Sequence, residues 1–96
     1  MEKRVTVGRI EVSPKASQLL SEELSEALTR HVHGDWGDMG RPQCMLNESA
    51  LQRGDGQVLS RFKRANGDEL WVNTLFREGV TRIELYSEIL ATIPEL

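Results

Sequence analysis

Cysteine is nearly missing from this 96-residue chain: Cys44 is the single one, so no internal disulfide can form and a reducing cytoplasm is the expected compartment. Histidine is almost as scarce. His31 and His33 are the only two, which leaves an imidazole-rich metal site without a third ring. No apolar run approaches the ~20 residues of a membrane-spanning helix. Residues 1–6 lack the long apolar segment of a secretory leader. Basic excess is missing too: 12 Lys and Arg stand against 15 Asp and Glu, the net charge is −3, and the signs are interspersed. Broad electrostatic binding to nucleic acid needs a basic face, so nucleic acid is not an expected partner. No glycine-rich dinucleotide loop and no internal repeat occur.

What is present suits one α+β domain spanning residues 1–96, with 39% hydrophobic and 28% charged residues. A chain of this length buries roughly 60–65% of its unfolded surface, enough for a modest core. Residues 4–12 read as a strand whose phase changes at Gly8: Val5 and Val7 share one face, Ile10 and Val12 the other. A glycine at such a switch predicts a bulge or a close backbone approach. Ser13-Pro14 is a helix-start signal. The apolar positions from Ala16 to Val32 follow helical spacing, either as one helix or, preferred here, as two meeting near Ser21. Ser21 is a second candidate cap, and His33-Gly34 ends the helix.

A glycine-rich loop runs to about Gln43, and residues 44–52 form a short helix closed by Gly54 or Gly56. Then come three antiparallel strands: Gln57–Arg64, Asp68–Phe76 and Val80–Tyr86. Asn66-Gly67 marks the first turn as a two-residue hairpin. Ile89, Leu90 and Ile93 form an apolar tail halted at Pro94. The expected architecture is a small antiparallel sheet, the N-terminal strand plus a three-stranded meander, covered on one face by helices. Val58, Phe62, Leu70, Val72, Ile83 and Leu85 are its predicted packed face. Leu59, Trp71 and Leu75 point the other way, onto a face that is either covered by a terminal segment or exposed as a binding surface. An uncapped edge at 80–86 offers a route to a symmetric homodimer.

Chemistry-bearing residues concentrate in His31-Val-His-Gly-Asp-Trp-Gly-Asp38. Read as a metal site, His31, His33 and Asp35 supply two imidazoles and a carboxylate, with Asp38 adding an oxygen; all would come from one short segment. Read as an acid–base nuclease, His31 works with Asp35 or Glu48, and Arg41 or Arg61 steadies a phosphate. The structural reading is preferred. Gly34, Gly37 and Gly40 permit sharp turns, Asp35 and Asp38 accept from backbone amides, Trp36 plugs the loop onto the core, and His31 bonds a loop carbonyl or aspartate. No cofactor is expected, and Cys44 reads as a small hydrophobe in a Met/Leu segment.

Taken in order, Val7-Gly-Arg-Ile10, Ser13-Pro-Lys-Ala16, Leu28 to Asp38, Val58-Leu-Ser-Arg-Phe62 and Leu70-Trp-Val72 resemble a family of small bacterial proteins labelled "plasmid-related". That likeness spans about residues 7–76 and centres on His-x-x-Gly-Asp-Trp-Gly-Asp; in the family pattern the place of His33 is not fixed as histidine. It implies an accessory protein of a plasmid, phage or other mobile element, acting on a host or element-encoded protein, with anti-defence activity as the concrete version. Candidate contact residues are Trp36, Arg41, Arg61, Trp71 and Leu75.

Overall fold

Strict alternation in three segments builds the centre of the molecule. The computed structural model describes residues 2–92. In chain order it contains β1 (Arg9–Val12), a single 3-10 turn (Ala16–Gln18), α1 (Ser21–Val32), α2 (Arg41–Arg53), β2 (Gln57–Lys63), β3 (Glu69–Leu75), β4 (Val80–Leu85) and α3 (Tyr86–Thr92). Cross-strand registers place Phe62 beside Leu70 beside Leu85, and Ser60 beside Val72 beside Ile83. All six predicted core positions are buried. The fold is α+β, as expected, and 14–32 does divide in two at Ser21. Ile93 and Pro94 of the predicted tail lie outside the described residues.

The sheet order β1-β4-β3-β2 corrects two expectations. β1 runs parallel to β4, so the sheet is mixed rather than wholly antiparallel. With β1 on one side and β3 on the other, β4 is internal, and the homodimer route expected through an edge at 80–86 is closed. Gly8 makes this pairing possible. Its φ is +64°, and a Cβ there would stand 2.2 Å from the Gly79 carbonyl oxygen. The bare backbone lets the Arg9 amide donate to that oxygen at 2.9 Å. The predicted strand over 4–12 therefore shortens to 9–12, while the amides of Arg4 and Val5 both donate to the Val32 carbonyl at the end of α1.

Smaller differences have local causes. Ser13 Oγ does accept from the Ala16 amide, capping the short turn, but α1 begins after Leu20 with no side-chain cap. Pro42 at the front of α2 starts that helix at Arg41, earlier than predicted, and Gly54 closes it with φ +64°. The first hairpin has a three-residue loop: the Gly67 amide donates to Arg64, and only Gly67 takes positive φ there.

The core has two apolar clusters. Ala27, Phe62, Leu70, Val72, Ile83 and Leu85 lie under α1; Val5, Trp36, Ala50 and Val58 lie under α2. We predict that Gly8→Ala destabilises far more than Gly67→Ala. Both variants pay about 1–2 kcal/mol for a left-handed alanine, but only Gly8 has backbone in the way, adding about 1–3 kcal/mol of overpacking. Thermal unfolding reads the difference; equal losses would contradict the close approach.

Candidate functional site

The end of α1 and the loop after it are set by backbone geometry. Gly34, at φ +85°, donates its amide to the His31 carbonyl, and Asp35 donates to that of Arg30. This reciprocal pair closes the helix. Asp35 then accepts twice with its side chain: Oδ1 from the Gly37 amide at 3.0 Å and Oδ2 from Arg30 Nε at 2.7 Å. The Arg30 guanidinium, chiefly, holds this carboxyl below the ordinary aspartate range, and also stacks over the Phe62 ring at 4.5 Å. Asp38 contributes its backbone. Its carbonyl accepts from Arg61 Nη2 at 2.7 Å, and its amide donates to the Arg61 carbonyl.

Gly37 lies against β2 in an isolated parallel bridge with Arg61. A Cβ there would meet the Arg61 carbonyl oxygen at 2.2 Å, so only glycine fits. Two residues up the strand, Asn47 of α2 occupies the same edge. Its Nδ2 donates to the Leu59 carbonyl at 2.8 Å and its Oδ1 accepts the Leu59 amide at 3.1 Å. The outer edge of β2 is thus closed by a loop and a buried amide side chain.

Both histidines sit far from a metal-site arrangement. His31 is wholly buried, at 0% exposure, and both ring nitrogens are bonded to hydroxyls: Nδ1 to Ser60 Oγ at 2.6 Å and Nε2 to Thr74 Oγ1 at 2.9 Å. Thr74 meets Thr81 Oγ1 at 2.6 Å, and Thr81 donates to the Val7 carbonyl at 2.8 Å. Counting protons gives the relay a direction. Thr81 spends its proton on Val7, so Thr74 donates to Thr81 and His31 Nε2–H donates to Thr74. Nδ1 is then the bare nitrogen and accepts from Ser60. Burial lowers the His31 pKa to about 4, so the ring is neutral at physiological pH.

These contacts correct the expected partners of His31, which are hydroxyls of β2 and β3 rather than a loop carbonyl or aspartate. They also overturn the alternative of His31, His33 and Asp35 as metal ligands. His31 has no free nitrogen, His33 Nδ1 faces the Thr29 carbonyl at 2.8 Å, and the described residues contain no group of three or more potential ligands. A substrate has no access to His31.

Trp36 is 7% exposed, with its ring edge against His31 at 5.8 Å between centroids. Its Nε1 donates to Glu48 Oε2 at 3.2 Å, and Glu48 in turn accepts both nitrogens of the Arg4 guanidinium fork. Trp36 is therefore a core residue, and its candidacy as a contact residue is corrected. It packs with Val5, Ala50 and Val58 in the cluster under α2. Arg41 stands exposed at the front of α2, where it lines a shallow pocket with Trp36 and Glu48 rather than joining Arg61, Trp71 and Leu75.

Arg61, Trp71 and Leu75 do share a surface, the sheet face turned away from α1 and α2. Trp71 lies between Arg61 and Glu84 in register, stacks on Tyr86 at 5.1 Å and donates Nε1 to Glu69. The arginines near β2 are engaged, Arg61 with Asp38 and Glu69, Arg64 with Glu23 and Arg53 with Ser49, whereas Lys63 is exposed.

Sequence reasoning missed Ser60, Thr74, Thr81 and Asn47. The signal was a hydroxyl at the inward-facing parity of each strand, in line with Val58 and Phe62, Leu70 and Val72, and Ile83. A buried hydroxyl needs a partner.

The relay predicts an acid-side stability loss. The folded pKa of about 4 lies below the unfolded 6.5, so between these values the unfolded chain binds a proton that the fold refuses. Stability is complete above pH 6.5 and falls by roughly 3 kcal/mol as the pH drops to about 4. Urea midpoints across this window should slope in the wild type and slope less in His31→Gln, where lowered carboxylates such as Asp35 leave a residual slope at the acid end. Thr74→Val, which orphans Nε2–H, should cost about 1–3 kcal/mol at pH 7.

Comparison of the chain with protein-family models, with curated proteins and with solved structures finds no match.

Proposed function

We propose that this chain is a non-enzymatic binding protein, acting by docking on a partner protein through the sheet face that carries Trp71. The observation that carries this reading is a contrast in exposure. The chemistry-rich segment is spent on the core, His31 on hydroxyls and Trp36 on Glu48. The Trp71–Tyr86 stack instead stays half-exposed, on a face whose neighbours Leu59 and Leu75 are half-exposed too.

A ring flanked in register by Arg61 on one strand and Glu84 on the other suits a protein surface. Recognition patches of this kind combine an aromatic anchor with a mixed polar rim. A nucleic-acid surface would need several unpaired cations here, and this face offers Lys63 while Arg61 is paired with Glu69. The likeness to "plasmid-related" proteins supplies the context. The partner is then a host or element-encoded protein, with modulation of a host defence complex as the specific form, in a reducing cytoplasm. No helix of the described residues is long and apolar enough to cross a membrane.

Affinity capture from a native bacterial host tests this. A discrete protein should be retained by the wild type and by Asp35→Asn, and lost with Trp71→Ala and Leu75→Asp, whose thermal midpoints stay close to the wild type. Retention that ignores Trp71 and Leu75, or a nuclease activity abolished by His31→Gln in a folded protein, would overturn the proposal.

A further inference from the structure

The two edges of the sheet are treated differently. The edge of β2 is closed at Leu59 by Asn47 and at Arg61 by the loop through Gly37. Along β1 nothing among the described residues pairs with the outer side. Apolar side chains also stand out there: Ile10 is 44% and Val12 38% exposed.

Which backbone groups of β1 are free follows from its pairing with β4. The amides of Arg9 and Ser13 donate to Gly79 and Ile83. In a parallel ladder the residues facing the neighbour alternate, so 9, 11 and 13 spend their groups on β4. The N–H and C=O of Ile10 and Val12 therefore point outward, unpaired. An exposed row of this kind is a template for another strand.

We infer that β1 pairs antiparallel with β1 of a second copy of this chain, about a two-fold axis through Ile10. The register is set by charge and by hydrogen-bond parity. Free residues must oppose free residues, which allows only alternate slides. With Ile10 opposite the partner's Ile10, Arg9 falls opposite the partner's Glu11 and Glu11 opposite the partner's Arg9. Sliding by two residues brings Arg9 opposite the partner's Arg9, or Glu11 opposite the partner's Glu11. Sliding by a further two, in the direction that aligns the Glu11 pair, puts Ile10 opposite the partner's Pro14, which has no N–H to give. Directly opposed like charges destabilise a strand pair, and opposed unlike charges support it.

Arg9 and Glu11 already share a face, with Arg9 Nη2 at 3.1 Å from Glu11 Oε2, and Glu11 also accepts from Arg82. In the pair, each Glu11 would lie between its own Arg82 and the partner's Arg9. Ile10 packs against its own symmetry mate on the helix-covered side. A C2 contact of this sort is self-complementary by construction. It is also short, so the dimer is reversible and concentration-dependent. This inference is independent of the docking face proposed for Trp71.

Sedimentation equilibrium with charge-swap variants tests it. The wild-type mass should rise with concentration from 10.9 kDa towards twice that value. Arg9→Glu and Glu11→Arg should each stay at the single-chain mass, since each opposes like charges across the axis. Mixed in equal amounts, the two variants should form a heterodimer, because every cross-axis pair is then complementary. Ile10→Pro removes an outward N–H together with the Ile10 side chain, leaves the groups that pair with β4 in place, and should remain monomeric with the wild-type circular dichroism spectrum. A wild type that stays monomeric throughout, variants that dimerise as it does, or a mixture that fails to associate would overturn the inference.

Discussion

A buried imidazole has to be satisfied at both nitrogens, and most of this molecule is arranged to do so. His31 projects from the last turn of α1 into a sheet that presents Ser60, Thr74 and Thr81 at inward positions, and the relay ends on the Val7 carbonyl. Five separate stretches of chain thus meet in one row of hydrogen bonds. Each link orients the next, and losing one member leaves its neighbour with an unmet donor or acceptor in a low-dielectric interior. The row lies between the two apolar clusters: along β2, Ser60 separates Val58 of one from Phe62 of the other. Polar specificity and apolar packing are therefore interleaved in one layer.

Around this row, the segment from Gly34 to Asp38 acts as a clamp. Its glycines supply backbone shapes that side chains resist, Asp35 ties the turn to Arg30, and Trp36 closes over the His31 ring. The Arg4–Glu48–Trp36 contacts then fasten the N-terminal stretch and α2 onto the same corner. Density of ligand-type residues, taken alone, would suggest a catalytic loop. The burial of His31 and the engagement of both its nitrogens decide otherwise.

Much of the fold was legible in the residue pattern because burial on one face imposes a period of two on strands and near 3.6 on helices. Val58, Phe62, Leu70, Val72, Ile83 and Leu85 follow from that alone. The rank of β4 did not, since an internal strand and an edge strand in a two-layer fold alternate alike. Its neighbour β1 lies some 70 residues away in sequence, and only the bare backbone at Gly8 hinted at the contact. The corner at 34–38 was readable from its glycines. The partners of His31, 29 and 43 residues downstream, were not, because hydrogen bonds between distant segments leave no local period. Asn47 shows the same limit: within α2 it is one more polar residue, and its bonds to both backbone groups of Leu59 arise only when helix and strand meet.

Closure of the β2 edge has a consequence for assembly. A sheet with two usable edges can add copies at both ends and grow into a ribbon without limit. With Asn47 and Gly37 occupying one side, a molecule that engages through its other side has nothing left to offer a third. Strand-by-strand addition then terminates at a closed pair, which places a geometric ceiling on self-association and guards a small protein with one open sheet edge against fibril formation.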